Sequence, residues 1–319
     1  MDNVLQTKGI HHITAIVGNA QENIDFYAGV LGLRLVKKTV NFDDPETYHF
    51  YFGDEIGTPG TIITFFPWDG APHGRIGNGQ VGITTYRIPK GSIEFWQQRL
   101  HDYGIETTRM TRFNETYLQF KDIHGLKLEL VEQEDGPLNE WEFNGITKDV
   151  AMKGFHGAVL YSSNIEKTST TLTHIFGLEK IAEDKDYIRF QADGPLGNII
   201  DLTSTDNQGK MGVGTVHHIA WRTSNNEQQI KWQEHVKKHG FFITDIYDRN
   251  YFNATYFREN GHILFEIATD PPGFLTDESF KNLGKTLQLP AQLEHNRSQL
   301  EQLLPEVTVR HVKPSNKGE

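Results

Sequence analysis

The chain has 319 residues, 37% hydrophobic and 23% charged, which suits two cores of about 150 residues each. A formal charge of −11 speaks against a nucleic-acid partner, and the absence of cysteine excludes a disulfide framework and a thiolate metal site. No run approaches the roughly 18 apolar residues of a membrane span, and no basic region followed by an apolar stretch opens the chain, so a cytoplasmic protein is expected.

In chain order, residues 9–17 read as a strand, followed by a helix that begins near Asn19, with Glu22 as its capping-box partner, and stops at Gly32. Three short strand-like runs follow, at 33–36, 48–52 and 61–66. The same grammar returns at 80–86, with a helix carrying Ile93, Trp96 and Leu100 on one face and ending at Gly104. It returns again at 155–160, with a stop at Gly177, and at 216–221, with a helix capped by Ser224 and Glu227 that stops at Gly240. Both His12 to Gly32 and Gly157 to Gly177 span 20 positions, while Gly82 to Gly104 and His218 to Gly240 span 22.

These spacings predict an α+β fold built from four βαβββ modules, near residues 8–68, 79–133, 153–205 and 214–271. Turn-forming residues at 69–74 and 135–137 separate modules. The division expected is a first domain over 1–145, a second over 146–272 and a helical tail over 273–319. The tail, with Leu293, Leu300 and Leu304, would pack on the outside or on a partner chain, so a homo-oligomer is compatible with it.

Chemistry concentrates in equivalent slots. His11-His12 and His217-His218 open modules one and four, while glycines Gly82 and Gly157 stand in the slot of His12 and His218 in the other two. Alternation places His12 with Thr14 on a polar face and His11 with Ile13, Ala15 and Val17 on the core face. A carboxylate recurs on the last strand as Glu129, Asp201 and Glu266, but module one has no acid at residues 61–65. Pairing modules one and four would therefore gather His12, His218 and Glu266, a facial set that holds a divalent metal and leaves about three positions open, as in non-haem iron oxygen chemistry. Glu129 and Asp201, without a histidine in the ligand slot, read as structural acceptors. The remaining histidines, His49 among them, read as solvated side chains. Arg249 and Tyr256, on the run before the Glu266 strand, could stabilise an anionic oxygen and donate a hydrogen bond.

The four modules, the His-His-Ile starts and the closing Phe265-Glu266-Ile267 strand resemble the vicinal oxygen chelate superfamily. Within it, the stretches 25–27, 57–61, 88–92 and 249–256 are most similar to ring-cleaving dioxygenases of hydroquinones. That resemblance implies two curved mixed-sheet barrels and Fe(II) on His12, His218 and Glu266, with Mn(II) a variation among related enzymes. It also implies His11, Arg249 and Tyr256 beside a small aromatic substrate and O2, and a role in quinone detoxification. For His11 it conflicts with strand alternation unless the strand is bulged there. Two alternatives share the fold: a glyoxalase-type isomerase or lyase, which would need a second glutamate near Thr64 or Phe65, and a metal-free binding module.

Overall fold

All four expected modules are present in the computed structural model, which describes residues 5–315. Module one runs β1 (Ile10–Val17), α1 (Ala20–Ile24), β2 (Arg34–Asn41), β3 (Asp44–Gly53) and β4 (Ile62–Pro67). Module two runs β5 (Gln80–Ile88), α2 (Ile93–Asp102), β6 (Thr108–Arg112), β7 (Glu115–Lys121) and β8 (Lys127–Glu132). Module three runs β9 (Gly154–Tyr161), α3 (Ile165–Thr170), β10 (Glu179–Glu183), β11 (Ile188–Gln191) and β12 (Ile199–Thr203). Module four runs β13 (Thr215–Thr223), α4 (Asn226–Lys238), β14 (Tyr247–Asp248), β15 (Phe252–Arg258) and β16 (Leu264–Pro272).

The helix stops hold for a physical reason. Gly32, Gly104, Gly177 and Gly240 all have φ between 71 and 84°, the left-handed conformation that lets a chain leave a helix without a Cβ clash. The starts are partly different from expectation. Asn19 caps α1 through the N–H groups of Gln21 and Glu22, but no return bond from the Glu22 side chain completes a box. The cap of α4 is Asn225, whose side chain accepts from Gln228 N–H, and not Ser224. Helices α1 and α3 continue as π-helical turns, Asp25–Val30 and Thr171–Ile175, before their glycines.

The strands form two eight-stranded curved sheets, ordered β14-β15-β16-β13-β1-β4-β3-β2 and β10-β11-β12-β9-β5-β8-β7-β6. Modules one and four share the first sheet, and modules two and three the second. The boundary expected at 145/146 therefore runs between two modules of one sheet, and each sheet draws on both halves of the chain. In each sheet the two modules meet through their first strands, antiparallel, as β1 with β13 and β5 with β9. Each first strand also pairs in parallel with the last strand of its own module.

Ile13, Ala15 and Val17 are buried in one large cluster with Ile24, Phe26 and Tyr27 of the first helical segment. Burying each of the Ile, Val and Phe side chains among these contributes about 1.5–3 kcal/mol. On the concave side of the first sheet a smaller cluster of Val36, Tyr51, Ile62, Ala220, Phe252, Ala254 and Phe274 underlies a cavity. Among its described residues the tail carries one α-helix, α5 (Arg297–Leu303), and otherwise runs in short 3-10 segments and extended chain. It packs on module one of the same chain, with Leu300 and Leu304 buried, the Gln288 N–H bonded to Lys38 and Arg310 paired with Asp25. Residues 1–4 and 316–319, the last of the polar tail, lie outside the described residues.

Candidate metal centre

His12 and His218 come from adjacent strands 206 residues apart in sequence. Ala220 pairs with His12 across β1–β13 and with Glu266 across β13–β16, so the three positions form one row over three strands. His218, two residues before Ala220, points to the same face. Because the middle residue of the row is alanine, a gap is left where the longer side chains converge.

The convergence has metal-site dimensions. Glu266 Oε2 lies 3.3 Å from His12 Nε2 and 2.8 Å from His218 Nε2, and the two Nε2 atoms are 3.3 Å apart. Three ligands about 2.1 Å from one ion at right angles would sit about 3.0 Å apart. Among the described residues this is the one group of three or more potential ligands that close together. Glu266 is 0% exposed, and neither of its oxygens receives a well-directed hydrogen bond. Burial works to raise its carboxyl, but His12 and His218 outweigh that and hold it well below the usual carboxylate range. No Lys or Arg side chain forms an ion pair with it among the described residues. A buried anion without a cationic side chain, faced by two imidazole nitrogens, fits a divalent cation.

Outer histidines brace the inner ones. His11 Nδ1 lies 2.9 Å from His12 Nδ1, and His217 Nδ1 lies 2.8 Å from His218 Nδ1. Both outer residues are extra in the β1–β13 register, which shifts between Ile10 and His12 and again between Thr14 and Ala15 opposite His217. These bulges turn two successive side chains toward each other, so His11 departs from strict alternation and meets His12 without reaching the cavity where the resemblance would put it. His11 sits behind His12 and does not line the cavity, whereas His217 does. Burial, then the neighbouring His218, hold His217 down at about 3, so it is neutral near pH 7.

The bulges also correct one sequence alignment. In the second sheet the unpaired residues are Gly82 and His156, so Gly157 does match His12, but Ile83, not Gly82, matches His218. The fourth slot, which pairs with Thr14, is Thr64.

A cavity of about 330 Å³ opens over these three side chains. Phe42, Phe66, Trp68, Phe252 and Leu264 give it an apolar lining, and its polar groups include His49, Tyr51, His217, Arg249 and Tyr256. Arg249 lies 5.7 Å from the centre of the Tyr256 ring and binds Asp43 at 3.0 Å. Burial and then Glu266 raise the Tyr256 phenol well above its ordinary range, so it stays a hydrogen donor. His49, expected in solvent, sits on β3 with Nε2 bonded to Thr64 and Nδ1 to Tyr51. Neither His49 nor Tyr51 was legible as a site residue, because their role follows from pairing Tyr51 with Thr64 across β3–β4.

The sequence profile described as "Glyoxalase/Bleomycin resistance protein/Dioxygenase superfamily" matches residues 9–130 and 154–276. The protein named "Putative ring-cleaving dioxygenase MhqO" of Bacillus subtilis (strain 168) is 56% identical over 308 residues, covering 96% of this chain and 99% of its own. The "Chlorohydroquinone/hydroquinone 1,2-dioxygenase" of Sphingobium indicum is 32% identical over 308 residues, 92% of this chain and 95% of its own. A crystal structure of a Bacillus subtilis chain, 56% identical, superimposes with a TM-score of 0.95 over 97% of this chain and 100% of that one.

Proposed function

The chain belongs to the glyoxalase/bleomycin resistance protein/dioxygenase superfamily, and from that premise we propose that it is a metal-dependent, extradiol-type ring-cleaving dioxygenase of hydroquinone- or catechol-like substrates. The observation that carries this reading is the buried Glu266 carboxylate, held between two imidazole Nε2 atoms and open to an aromatic-lined cavity. We assign His12, His218 and Glu266 as the ligands of Fe(II), with Mn(II) the substitute the same donors accept.

Bound there, a divalent iron supplies Lewis acidity toward a ring hydroxyl and an electron path between the ring and O2. With the His218 Nε2 lone pair turned to the site, its Nδ1–H donates to His217 Nδ1, which leaves the His217 hydrogen on Nε2. That neutral ring lines the cavity and can donate its Nε2–H to a substrate oxygen. Tyr256 donates to an oxygen that gains charge, and Arg249 stabilises it. His11, behind His12, orients that ligand and does not touch substrate. The apolar walls exclude water from the reacting ring.

The fourth slot argues against an isomerase. Thr64 there is bonded to Thr14 and His49 and offers no carboxylate as base. Anaerobic metal analysis followed by oxygen uptake tests the proposal, using hydroquinones, catechols and methylglyoxal–thiol adducts. We expect about one iron or manganese per chain and oxygen consumed with a diol. A folded protein that takes up no divalent metal, or that converts the thiol adduct without consuming oxygen, would refute it.

A further inference from the structure

The first sheet carries a second phenol in a place equivalent to Tyr256. Tyr256 pairs with Glu266 across β15–β16, and Tyr51 pairs with Thr64 across β3–β4, so the two tyrosines hold matching positions in modules four and one. Each lines the cavity, and each has a basic neighbour there, Arg249 for Tyr256 and His49 for Tyr51.

We propose that the Tyr51–His49 pair is a specificity site that binds a second ring oxygen of the substrate, so that rings bearing two hydroxyls are selected over rings bearing one. This rests on the ring-diol reading above. Among the described residues Tyr51 Oη has one hydrogen-bond partner, His49 Nδ1 at 2.9 Å, and the far nitrogen of that imidazole is held by Thr64 Oγ1 at 2.8 Å. Thr64 in turn meets Thr14 Oγ1 at 2.8 Å. Every link but the imidazole is a hydroxyl that can reverse its hydrogen, and the imidazole can adopt either neutral tautomer. Tyr51 can therefore present either a hydrogen or a lone pair to the cavity. A phenolic substituent, itself both donor and acceptor, matches such a group in either orientation. The ring of Tyr51 is fixed by Phe252, Tyr251 and Phe274, so the hydroxyl is pre-positioned.

The test is anaerobic calorimetry with the metal-loaded protein and three probes, hydroquinone, catechol and phenol, in the wild type, Tyr51→Phe and His49→Asn. One lost hydrogen bond corresponds to about a 2- to 12-fold change in affinity. We expect the wild type to prefer at least one diol to phenol by more than the twofold statistical advantage of two hydroxyls. Both variants should lose most of that preference while binding phenol as the wild type does. An unchanged diol-to-phenol ratio in both variants, or an equal loss for all three probes, would overturn the specificity site and leave the ring-diol reading standing. No binding of any probe by the wild type would overturn both.

Discussion

The two sheets share one topology but surround their buried acids with different side chains. In the first, Glu266 is buried beside His12 and His218, with Thr64 in the fourth slot. In the second, the matching positions are Glu129, Gly157, Ile83 and Asp201. There Arg112 fills the centre, 2.9 Å from Glu129 and 2.5 Å from Asp201, and Arg189 binds Asp201 at 2.7 Å. A side chain cannot return to the Gly157 slot, because a Cβ would lie 1.6 Å from the Ile199 carbonyl oxygen. His156 keeps the place of His11 with no inner imidazole to brace; neither ring nitrogen has a hydrogen-bond partner among the described residues, and Glu115 Oε2 lies 3.8 Å from its Nε2. A buried acid needs a compensating charge. One sheet supplies a guanidinium from its own chain; among the described residues of the other, none pairs with Glu266, and two imidazoles face it in an arrangement that could hold a metal.

Four experiments would break or sharpen that contrast. The largest effect is expected from His12→Ala, His218→Ala or Glu266→Gln, which should weaken metal binding by more than the roughly 10- to 100-fold typical of outer-sphere changes, with circular dichroism unchanged. A variant that keeps full metal content would remove its residue from the ligand set. Next, Arg112→Met should destabilise the protein by about 3–5 kcal/mol in urea, since Glu129 and Asp201 are left buried without it. Its folded fraction should hold as much metal as the wild type; parallel loss of metal would mean that the sheets are not independent in this respect. A smaller effect, about 10- to 100-fold in metal affinity, is expected for His11→Ala and His217→Ala, and His156→Ala should show none.

The smallest is a pH effect. Burial pushes His156 down to about 4, below the ordinary imidazole range, so folding favours its neutral form. Its contribution is fully present above the unfolded value near 6.5 and is lost as pH falls from there through about 4, at roughly 1.4 kcal/mol per pH unit. Urea midpoints of metal-free protein between pH 7 and 5 should flatten in His156→Leu. An identical slope in that variant would assign the acid sensitivity to the other buried imidazoles.

Much of this was readable locally. The four glycine stops follow from the φ each requires, and the alternating strand starts mark the modules without reference to the rest of the chain. His12, His218 and Glu266 stood out because repeated slots could be compared. His49 and Tyr51 did not, since β3 shows only an unbroken aromatic run at residues 48–52 until its register against Thr64 is known. The bulges at His11 and His217 were equally hidden, because an extra residue exists only relative to a partner strand.

The sequence by itself thus determined the module, its repetition and the residue types at each slot, all of which depend on backbone conformation and on side-chain periodicity within a short segment. Tertiary structure alone decided that module one joins module four, that guanidinium groups fill the second concave face, and which side chains enclose the cavity. These depend on strand pairing across some 200 residues. Such pairing is selected by the burial of whole faces and the balance of buried charge, quantities that no local stretch of chain contains.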